Sequence, residues 1–496
     1  MSSQVIDHTP TIRDRWVFVG FLALIVWAPL PLASNRTWAI GILLSIAMVL
    51  LLGTVVAWRN QVTGAWDRLS LFKWPLMLLA CMVSLAWLQT LPLLADWVAT
   101  ISPQAALVQS PATWMTLSLD VYQTRVMAAL SFTYLLVFMI AVMTVRDANR
   151  LDKLAQVLVW SGVLQSVLGA VLYSMKAQYT IFFSSVSHHD LVGSFINRNH
   201  LSSYLNMCLS VGIGLMLARL GSQEHRYDGW KARLKVAIEF MLSPKIRLRL
   251  LLVVMVIALV LTRSRMGNAS FFTALLVVGA LATLLMYKTA PRTIALIVSL
   301  VIIDVFVVGT AVGLDKVTER MQQTEVLITD GGAAESLEAR TEAARTALPL
   351  VRDFMLLGSG AGSFYNVFMS YRSPQYGSSY VDHTHNDYVE IASDFGLTGL
   401  SILGLLVTAS FWNVLKVMAT RRSSLPRGIA FGVAMAIVSL LLHSTVDFNL
   451  QIPANALTIV VILAMGWVTR FLPSPDQKRK FAAGRSQGSC AESTAI

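Results

Sequence analysis

Residues 38–57 read WAIGILLSIAMVLLLGTVVA, an apolar run without a single charged side chain. A helix rises about 1.5 Å per residue, so a run of this length crosses the roughly 30 Å hydrocarbon core of a bilayer. Together with similar apolar runs before and after it in the chain, this segment predicts about twelve membrane spans. They cover residues 16–33, 38–57, 72–90, 126–144, 153–173, 200–219, 249–263, 268–287, 293–312, 396–416, 428–446 and 455–470. We therefore expect an all-α integral membrane protein.

The composition of the whole chain agrees with this expectation. Of its 496 residues, 55% are hydrophobic and only 13% are charged, whereas soluble proteins carry about 25% charged residues. The net charge of +12 could suggest a nucleic-acid partner, but the basic residues are spread along loops and not clustered with aromatic residues. Cys81, Cys208 and Cys490 suggest neither a disulfide framework nor a zinc site. No nucleic acid, metal or cofactor is expected.

The distribution of basic residues predicts the orientation of the chain. Most of the 39 Lys and Arg residues fall in loops on one side, and the loop from Arg219 to Arg249 alone carries eight. Cytoplasmic loops retain such residues, so we place residues 1–15 in the cytoplasm. Residues 16–472 then form the transmembrane domain, and residues 473–496 form a disordered cytoplasmic tail. The sequence contains no phosphate loop of the ATPase type, which argues against an ATP-driven pump.

On the opposite side, the longest predicted loop covers residues 313–395 and should contain helices. Its apolar residues Ala339, Ala343, Ala347 and Leu350 follow helical spacing, which predicts a surface helix that carries arginines. A glycine-rich turn at residues 358–362 follows. Such a turn can offer backbone N–H groups to an anion, or it can simply reverse the chain.

Polar side chains gather at span edges on this outer side, where ionisable residues are costly and usually functional. Two of these residues, Arg263 and Arg265, oppose the positive-inside tendency and require an anionic partner. That partner is either a phosphate ligand, whose oxygens match the guanidinium group, or a carboxylate of the long loop. The candidate site residues are Arg198, Asn199, His200, Arg263, Arg265, Arg340, His385, Asn386 and Tyr388.

The segment from Asp382 to Glu390, DHTHNDYVE, is the most informative of these groups. His383 and His385 could bind a metal, play a structural role or act as a general base. The general base is favoured for His385, because an imidazole can take a proton from a hydroxyl near neutral pH. A further polar segment, residues 443–449, lies at the end of the eleventh predicted span on the same side and is expected to support the site structurally.

These motifs together resemble the O-antigen ligase and Wzy-type polysaccharide polymerase superfamily of bacterial inner-membrane enzymes. The resemblance extends from about Ser118 to Gly466. It is carried, in order, by the Asn-Arg-Asn-His segment that ends at His200, Ser264-Arg265-x-Gly267, the stretch Arg340 to Phe364, and His385-Asn386 followed after nine residues by Gly396-Leu-Thr-Gly399. It implies a GT-C-type glycosyltransferase fold with its active site facing the periplasm, and an undecaprenyl-diphosphate-linked glycan as donor.

The resemblance also suggests roles for the candidate residues. Arg198, Arg265 and Arg340 would stabilise the departing diphosphate without a metal, and His385 would orient and deprotonate the acceptor hydroxyl. Direct attack would invert the anomeric carbon. The remaining candidates would bind substrate.

The acceptor is left open by the sequence. A polymerase would use another lipid-linked glycan and a ligase would use lipid A-core, whereas a protein O-oligosaccharyltransferase would use a hydroxyl side chain. A lipid-linked glycan flippase or transporter is the alternative of another class, because it would also need arginines in a membrane cavity.

Overall fold

The computed structural model describes residues 12–180, 182, 184, 190–219, 244–286, 337–372 and 381–473. These residues form helices and one two-stranded antiparallel ladder of β1 (Leu93–Leu94) and β2 (Trp114–Met115), which agrees with the all-α expectation. The helices are α1 (Ile12–Trp27), α2 (Thr37–Trp58), α3 (Val62–Ser70), α4 (Lys73–Leu88), α5 (Ala95–Ile101), α6 (Pro103–Val108), α7 (Val121–Thr144), α8 (Ala148–Ser174), α9 (Arg198–Arg219), α10 (Pro244–Leu261), α11 (Arg265–Leu285), α12 (Leu337–Thr346), α13 (Leu348–Asp353), α14 (Phe364–Val367), α15 (Asp387–Thr420), α16 (Ser424–His443) and α17 (Pro453–Phe471).

Eight of the described helices are long and apolar enough to cross a membrane, and the bent pair α3 and α4 would add a ninth. The protein is therefore a multi-pass membrane protein. Helices α1 and α10 cover two more of the predicted spans, but α1 has only 16 residues and α10 begins with several basic residues. The predicted span at 293–312 and most of the predicted tail lie outside the described residues, so the count of twelve spans stays a prediction.

Five helix ends meet at one end of the bundle, and three of them, the starts of α9, α11 and α15, carry candidate residues. Helices α9 and α11 run parallel from this end, because the Asn206 side chain on α9 donates a hydrogen bond to the Gly267 carbonyl on α11 at 2.8 Å. The backbone N–H of Asp387, where α15 begins, bonds to the carbonyl just after α16 at 3.0 Å. Asn455 at the start of α17 donates to the His200 carbonyl at 3.1 Å. We call this the upper end.

Helix α9 is the central column of the bundle, since almost every residue along it is buried. It packs closely against α16 through glycines: a Cβ added to Gly214 would lie 2.3 Å from the Gly428 carbonyl oxygen. Small residues let two backbones approach in a membrane, where packing rather than water exclusion drives helix association. This contact fixes the upper start of α9 relative to the upper end of α16.

Helix α15 is broken at Gly396, whose φ of +66° lies in the left-handed region. The predicted span begins at this residue, but the nine residues before it, assigned to the long loop, form a short helix. A Cβ at Gly396 would lie 2.3 Å from the Leu356 carbonyl oxygen, and one at Gly358 would lie 2.2 Å from the Asp394 carbonyl oxygen. Only glycine fits this backbone-to-backbone contact, which seats the short helix on the glycine-rich turn.

The opposite, lower end is closed by an ionic cluster that the sequence analysis did not single out. Asp14, at the start of α1, is buried and pairs with Arg146 and Arg150, the latter at 2.5 Å. Arg68 and Arg150 also donate to backbone carbonyls at the end of α7, at distances of 2.6 to 2.8 Å. The last carbonyls of a helix have no partner within it, so these arginines complete the lower end of α7.

Candidate functional site

A fully buried carboxylate, Asp447, lies at the centre of the upper end. It follows α16 and precedes a 3₁₀ turn at Asn449–Gln451. Arg340 on α12 approaches it, with Nη1 3.2 Å from Oδ2, and the same nitrogen donates to the Val446 carbonyl at 3.1 Å. The long loop therefore contacts the membrane helices through this ion pair.

Three histidines from three different parts of the chain surround the same carboxylate. His200 Nε2 lies 3.5 Å from Oδ1, His385 Nδ1 lies 3.8 Å from Oδ1, and His443 Nε2 lies 4.0 Å from Oδ2. Arginine stays charged at any relevant pH, so Arg340 already balances Asp447 and no imidazole has to be protonated for that purpose. Among the described residues, no group of three or more His, Cys, Asp and Glu side chains is arranged so that it could hold a metal ion.

Burial alone would raise the pKa of the Asp447 carboxyl, but the imidazoles of His200 and His385 and the Arg340 guanidinium hold it well below its usual range. Both imidazole distances exceed that of a good hydrogen bond, so we regard the guanidinium as the main stabilising contact. Asp447 is therefore an anion at neutral pH.

The Phe448 ring organises the histidines. It stacks on His383 with ring centroids 4.0 Å apart and planes 18° from parallel, and it meets His200 and His385 edge to face at 4.5 and 5.0 Å. Aromatic pairs favour offset stacks and T-shaped contacts, so Phe448 orients three imidazoles, two of which, those of His200 and His385, also lie beside Asp447.

The two histidines of the DHTHNDYVE segment have different surroundings. His383 Nδ1 contacts Glu390 Oε1 at 2.5 Å, and Glu390 Oε2 accepts a hydrogen bond from the Thr384 backbone N–H at 2.9 Å. Burial would lower the pKa of His383, but the Glu390 carboxylate outweighs it and raises the pKa to about 9. His383 is thus a cation held in an ion pair, which makes it unsuited to act as a base at neutral pH.

His385 adopts a backbone φ of +53°, which is uncommon for a residue other than glycine. Asn386 holds it there, because its side chain donates to the Thr445 carbonyl at 2.9 Å and accepts hydrogen bonds from two N–H groups in the first turn of α15. Strained residues of this kind tend to cluster at functional sites. The strain turns His385 Nδ1 toward Asp447 and leaves Nε2 on the other side of the ring.

A cleft of about 200 Å³ opens beside His385. One face of α12 forms one wall, and the segments that carry Asn386 and Val446 form the other. The lining residues are Arg340, Thr341, Ala344, Arg345, His385, Asn386, Thr445 and Val446. The cleft therefore brings together two arginines, one imidazole and a surrounding set of small polar groups.

The structure brings His200, Arg340, His385 and Asn386 together at this point, and it gives other candidates different surroundings. Arg198 pairs with the Asp190 carboxylate at 2.7 Å. Arg340 likewise has a carboxylate of the protein, Asp447, beside it. The proposed role of both arginines toward a ligand phosphate stays a prediction.

The remaining candidates also lie at the upper end but outside the Asp447 cluster. Arg263 and Arg265 are exposed beside the start of α11, and Asn199 is buried in the first turn of α9. The Tyr388 hydroxyl donates to the Leu441 carbonyl at 2.8 Å, so it joins α15 to α16.

The backbone N–H groups of the glycine-rich turn bind a carboxyl side chain of the protein. The N–H groups of Gly362 and Phe364 donate to the Asp394 carboxylate at 2.7 and 3.2 Å. The Ala361 N–H donates to the side-chain oxygen of Gln89 at 3.0 Å. The turn therefore anchors the short helix of α15 and is not available to a ligand phosphate.

Asp447, Phe448 and Arg345 belong to the site, although the sequence analysis did not name them as site residues. A signal was present for Asp447: it lies four residues after His443 at the outer edge of an apolar span, where a carboxylate needs a partner. Nothing in the sequence indicated that histidines more than 180 positions apart, His200 and His385, would share it.

The fold and site define a polytopic, mostly helical membrane protein in which histidines and arginines surround the buried Asp447 carboxylate at a single end of the described bundle. Residues 250–404 match the family model described as Wzy_C, O-antigen ligase. This match supports the resemblance to the O-antigen ligase and Wzy superfamily that the motifs of the sequence indicated. The matched region includes Arg340 and His385, whereas His200 and Asp447 lie outside it. No curated protein matches the chain.

Proposed function

We propose that the protein is an inner-membrane glycosyltransferase that transfers an undecaprenyl-diphosphate-linked glycan on the periplasmic side. It would act as a ligase or polymerase in the synthesis of surface polysaccharide, either lipopolysaccharide O-antigen or exopolysaccharide. One observation carries the proposal: His385 is held between an open cleft and the buried Asp447–Arg340 ion pair. The family match supports the broad class of membrane ligases and polymerases.

His385 is the proposed general base. Its Nδ1 faces Asp447, so Nε2 is the nitrogen that can accept a proton from an acceptor hydroxyl in the cleft. The imidazolium that forms would then lie against a carboxylate, which stabilises it and keeps the ring oriented. Asp447 acts through His385 and is a positioning residue.

Arg340 and Arg345 are the proposed electrostatic groups. Both line the cleft on α12, and negative charge develops on the diphosphate as the glycosidic bond breaks. Guanidinium groups match phosphate oxygens, and pre-oriented charges of this kind usually contribute more to catalysis than any other single effect. Arg263 and Arg265, exposed at the same end, would hold the outer part of the lipid diphosphate.

The reaction is a direct displacement. The acceptor oxygen forms a bond to the anomeric carbon, the bond to the diphosphate oxygen breaks, and the bonding electron pair leaves with the diphosphate. The acceptor proton passes to His385 Nε2. One displacement inverts the anomeric carbon, and because the diphosphate is a good leaving group no general acid is required.

The direct test is transfer by the purified protein with a synthetic undecaprenyl-diphosphate-linked repeat. Arg345→Gln should lower the rate on the order of a hundred-fold, because one charge at the leaving group is lost. Arg59→Gln is the matched control, since Arg59 is an exposed arginine at the lower end of α2. Equal activity of the two variants would remove α12 from the mechanism.

The acceptor is identified in a null strain that carries the same variants. Accumulated single repeats on lipid would indicate a polymerase, and long unattached chains beside bare core would indicate a ligase. Loss of glycan from proteins alone would indicate a protein O-oligosaccharyltransferase. A purified protein that moves the lipid-linked glycan across vesicles without any transfer would be a flippase and would overturn the proposal.

A further inference from the structure

The chain between α4 and α7 is unusually apolar for a segment outside the spans. Residues 91–120 contain no Lys or Arg, and their two acidic residues are Asp96 and Asp120. They fold into β1, α5, α6 and β2. The sequence analysis treated this region as an outer loop, for which a polar, water-facing surface is the ordinary expectation.

One face of this segment packs into a small hydrophobic core at the upper end. Val98, Ala105 and Leu117 are fully buried there. They pack with apolar residues of the segment that follows α12, among them Leu350 and Phe364. The inner face is therefore covered by the segment that follows α12.

The opposite face is apolar as well, and it has no partner within the described part of the chain. Trp97 is 59% exposed, Leu107 is 78% exposed and Trp114 is 59% exposed. Leu94 and Trp114 are directly paired across the two strands, so they share one surface. Grouped exposed apolar residues mark a contact with something apolar.

This exposed face continues the lipid-facing surface of a membrane helix. Trp87 and Leu88 at the end of α4 are exposed, and Leu91 follows them. Trp38 is exposed at the start of α2. This end of α2 also lies at the upper end, because the Pro29 carbonyl, in the connection between α1 and α2, accepts a hydrogen bond from the Ser194 hydroxyl just before α9 at 2.5 Å. Tryptophan is enriched where a membrane meets water.

We propose that residues 91–120 form an interfacial foot, whose outer face of Leu94, Trp97, Leu107 and Trp114 is embedded in the lipid leaflet on the same side as the site. Lipid is the occupant because the face is continuous with the apolar surface of α4, is rich in tryptophan and carries almost no charge. A second protein would be expected to bring polar groups to the rim of its interface, and this face offers few partners for them.

The foot is hydrogen-bonded to the helix that carries the site. The Ser118 N–H donates to the backbone carbonyl of Gln89, just after α4, at 2.9 Å. The buried side chain of Gln89 in turn donates to the Leu357 and Asp394 carbonyls at 2.6 and 2.8 Å. The Leu119 N–H donates to the Ser359 carbonyl at 2.9 Å. The foot therefore sets the height of the short helix of α15, and of the cleft above it, relative to the lipid headgroups.

Fluorophore depth in vesicles tests the foot without any activity measurement. Single cysteines are introduced as Trp97→Cys, Leu107→Cys and Trp114→Cys in full-length protein that lacks Cys81 and Cys490, and they are labelled with an environment-sensitive dye. Val49→Cys, exposed in the middle of α2, is the lipid control, and Arg352→Cys, exposed on α13, is the water control. Quenching is compared between a nitroxide on lipid acyl chains and a water-soluble nitroxide.

We expect the three foot labels to be quenched by the lipid-borne nitroxide at a depth of about 5–10 Å, shallower than the label at position 49. Foot labels that behave like the label at position 352, quenched from water only, would overturn the proposal. Labels shielded from both reagents would also overturn it, because a second copy or another protein would then cover the face.

Discussion

At each end of the bundle a buried carboxylate, Asp447 at the upper end and Asp14 at the lower end, is surrounded by cationic or basic groups, yet the two clusters are built in opposite ways. At the lower end, the arginines around Asp14 are also bonded to the carbonyls that end α7. At the upper end, the buried His200 Nε2, His385 Nδ1 and both ring nitrogens of His443 have no hydrogen-bond partner among the residues that the structure describes. Buried polar groups are normally bonded, so the Asp447 cluster departs from the rule that the Asp14 cluster obeys.

This difference separates a structural cluster from a chemical one. Guanidinium groups cannot lose their proton, so the lower cluster has a single charge state and can only hold helices together. Imidazoles change charge near neutral pH, and at the upper end they surround a permanent ion pair beside an open cleft. Proton transfer at the upper end is therefore possible without breaking the contact that holds the long loop in place.

His385→Gln is the variant with the largest expected effect on the transfer rate, and it tests this comparison directly. Glutamine keeps hydrogen-bonding capacity but cannot take the acceptor proton, and general-base catalysis contributes roughly a hundred- to ten-thousand-fold. The measurement is the transfer rate with purified protein, alongside its melting temperature. A variant that keeps the wild-type rate would show that the upper cluster is structural, like the lower one.

Asp447→Asn should lower kcat on the order of a hundred-fold, because the amide cannot stabilise an imidazolium at His385. The KM for the lipid-linked donor should change much less, since Asp447 is fully buried and cannot touch it. Steady-state kinetics at several donor concentrations separate the two parameters. A change confined to KM would contradict the positioning role.

At the lower end, Asp14→Asn should reduce stability by about 3 kcal/mol, because two arginines lose their buried carboxylate. The rate of transfer per folded molecule should stay the same, since no group of the lower cluster lines the cleft. Thermal unfolding in detergent measures the first effect and the transfer assay measures the second. A selective loss of rate with unchanged melting would link the two ends functionally.

The pH dependence of stability sharpens the role of His383. Its pKa in the folded protein, about 9, exceeds its ordinary value of 6.5. The stability gained from pairing with Glu390 is therefore fully present below pH 6.5 and is lost as the pH rises through about 9. Melting temperatures between pH 6 and 10 should fall across this window, and Glu390→Gln should flatten the fall. An unchanged slope in the variant would remove the ion pair as its cause.

The smallest expected effect is that of Tyr388→Phe. The hydroxyl is bonded to the Leu441 carbonyl, so its loss should reduce stability by about 1 kcal/mol and change the transfer rate little. Tyr122→Phe, at an exposed position at the start of α7, is the control. A large loss of rate in Tyr388→Phe alone would indicate that Tyr388 binds substrate, as the sequence suggested.

Local patterns predicted much of the architecture and part of the site. Apolar runs located the membrane helices that the structure describes, because the bilayer imposes a length on each of them. The order of motifs indicated the superfamily, and His385 and Arg340, two of the candidate residues, line the cleft; their roles stay predictions. The glycine-rich turn was harder to interpret, since its N–H groups serve Asp394. Sequence spacing cannot distinguish an internal anion from a ligand.

The sequence by itself determined that the chain crosses a membrane and that its polar groups gather at span edges, because hydropathy and charge act locally along the chain. Only the tertiary structure decided that Asp447 is shared by His200, His385, His443 and Arg340, and that Arg198 pairs with Asp190 instead. Those choices depend on how α9 and α16 approach through their glycines and how Gly396 bends α15. Helix packing sets these distances, and it joins residues that lie far apart in the chain.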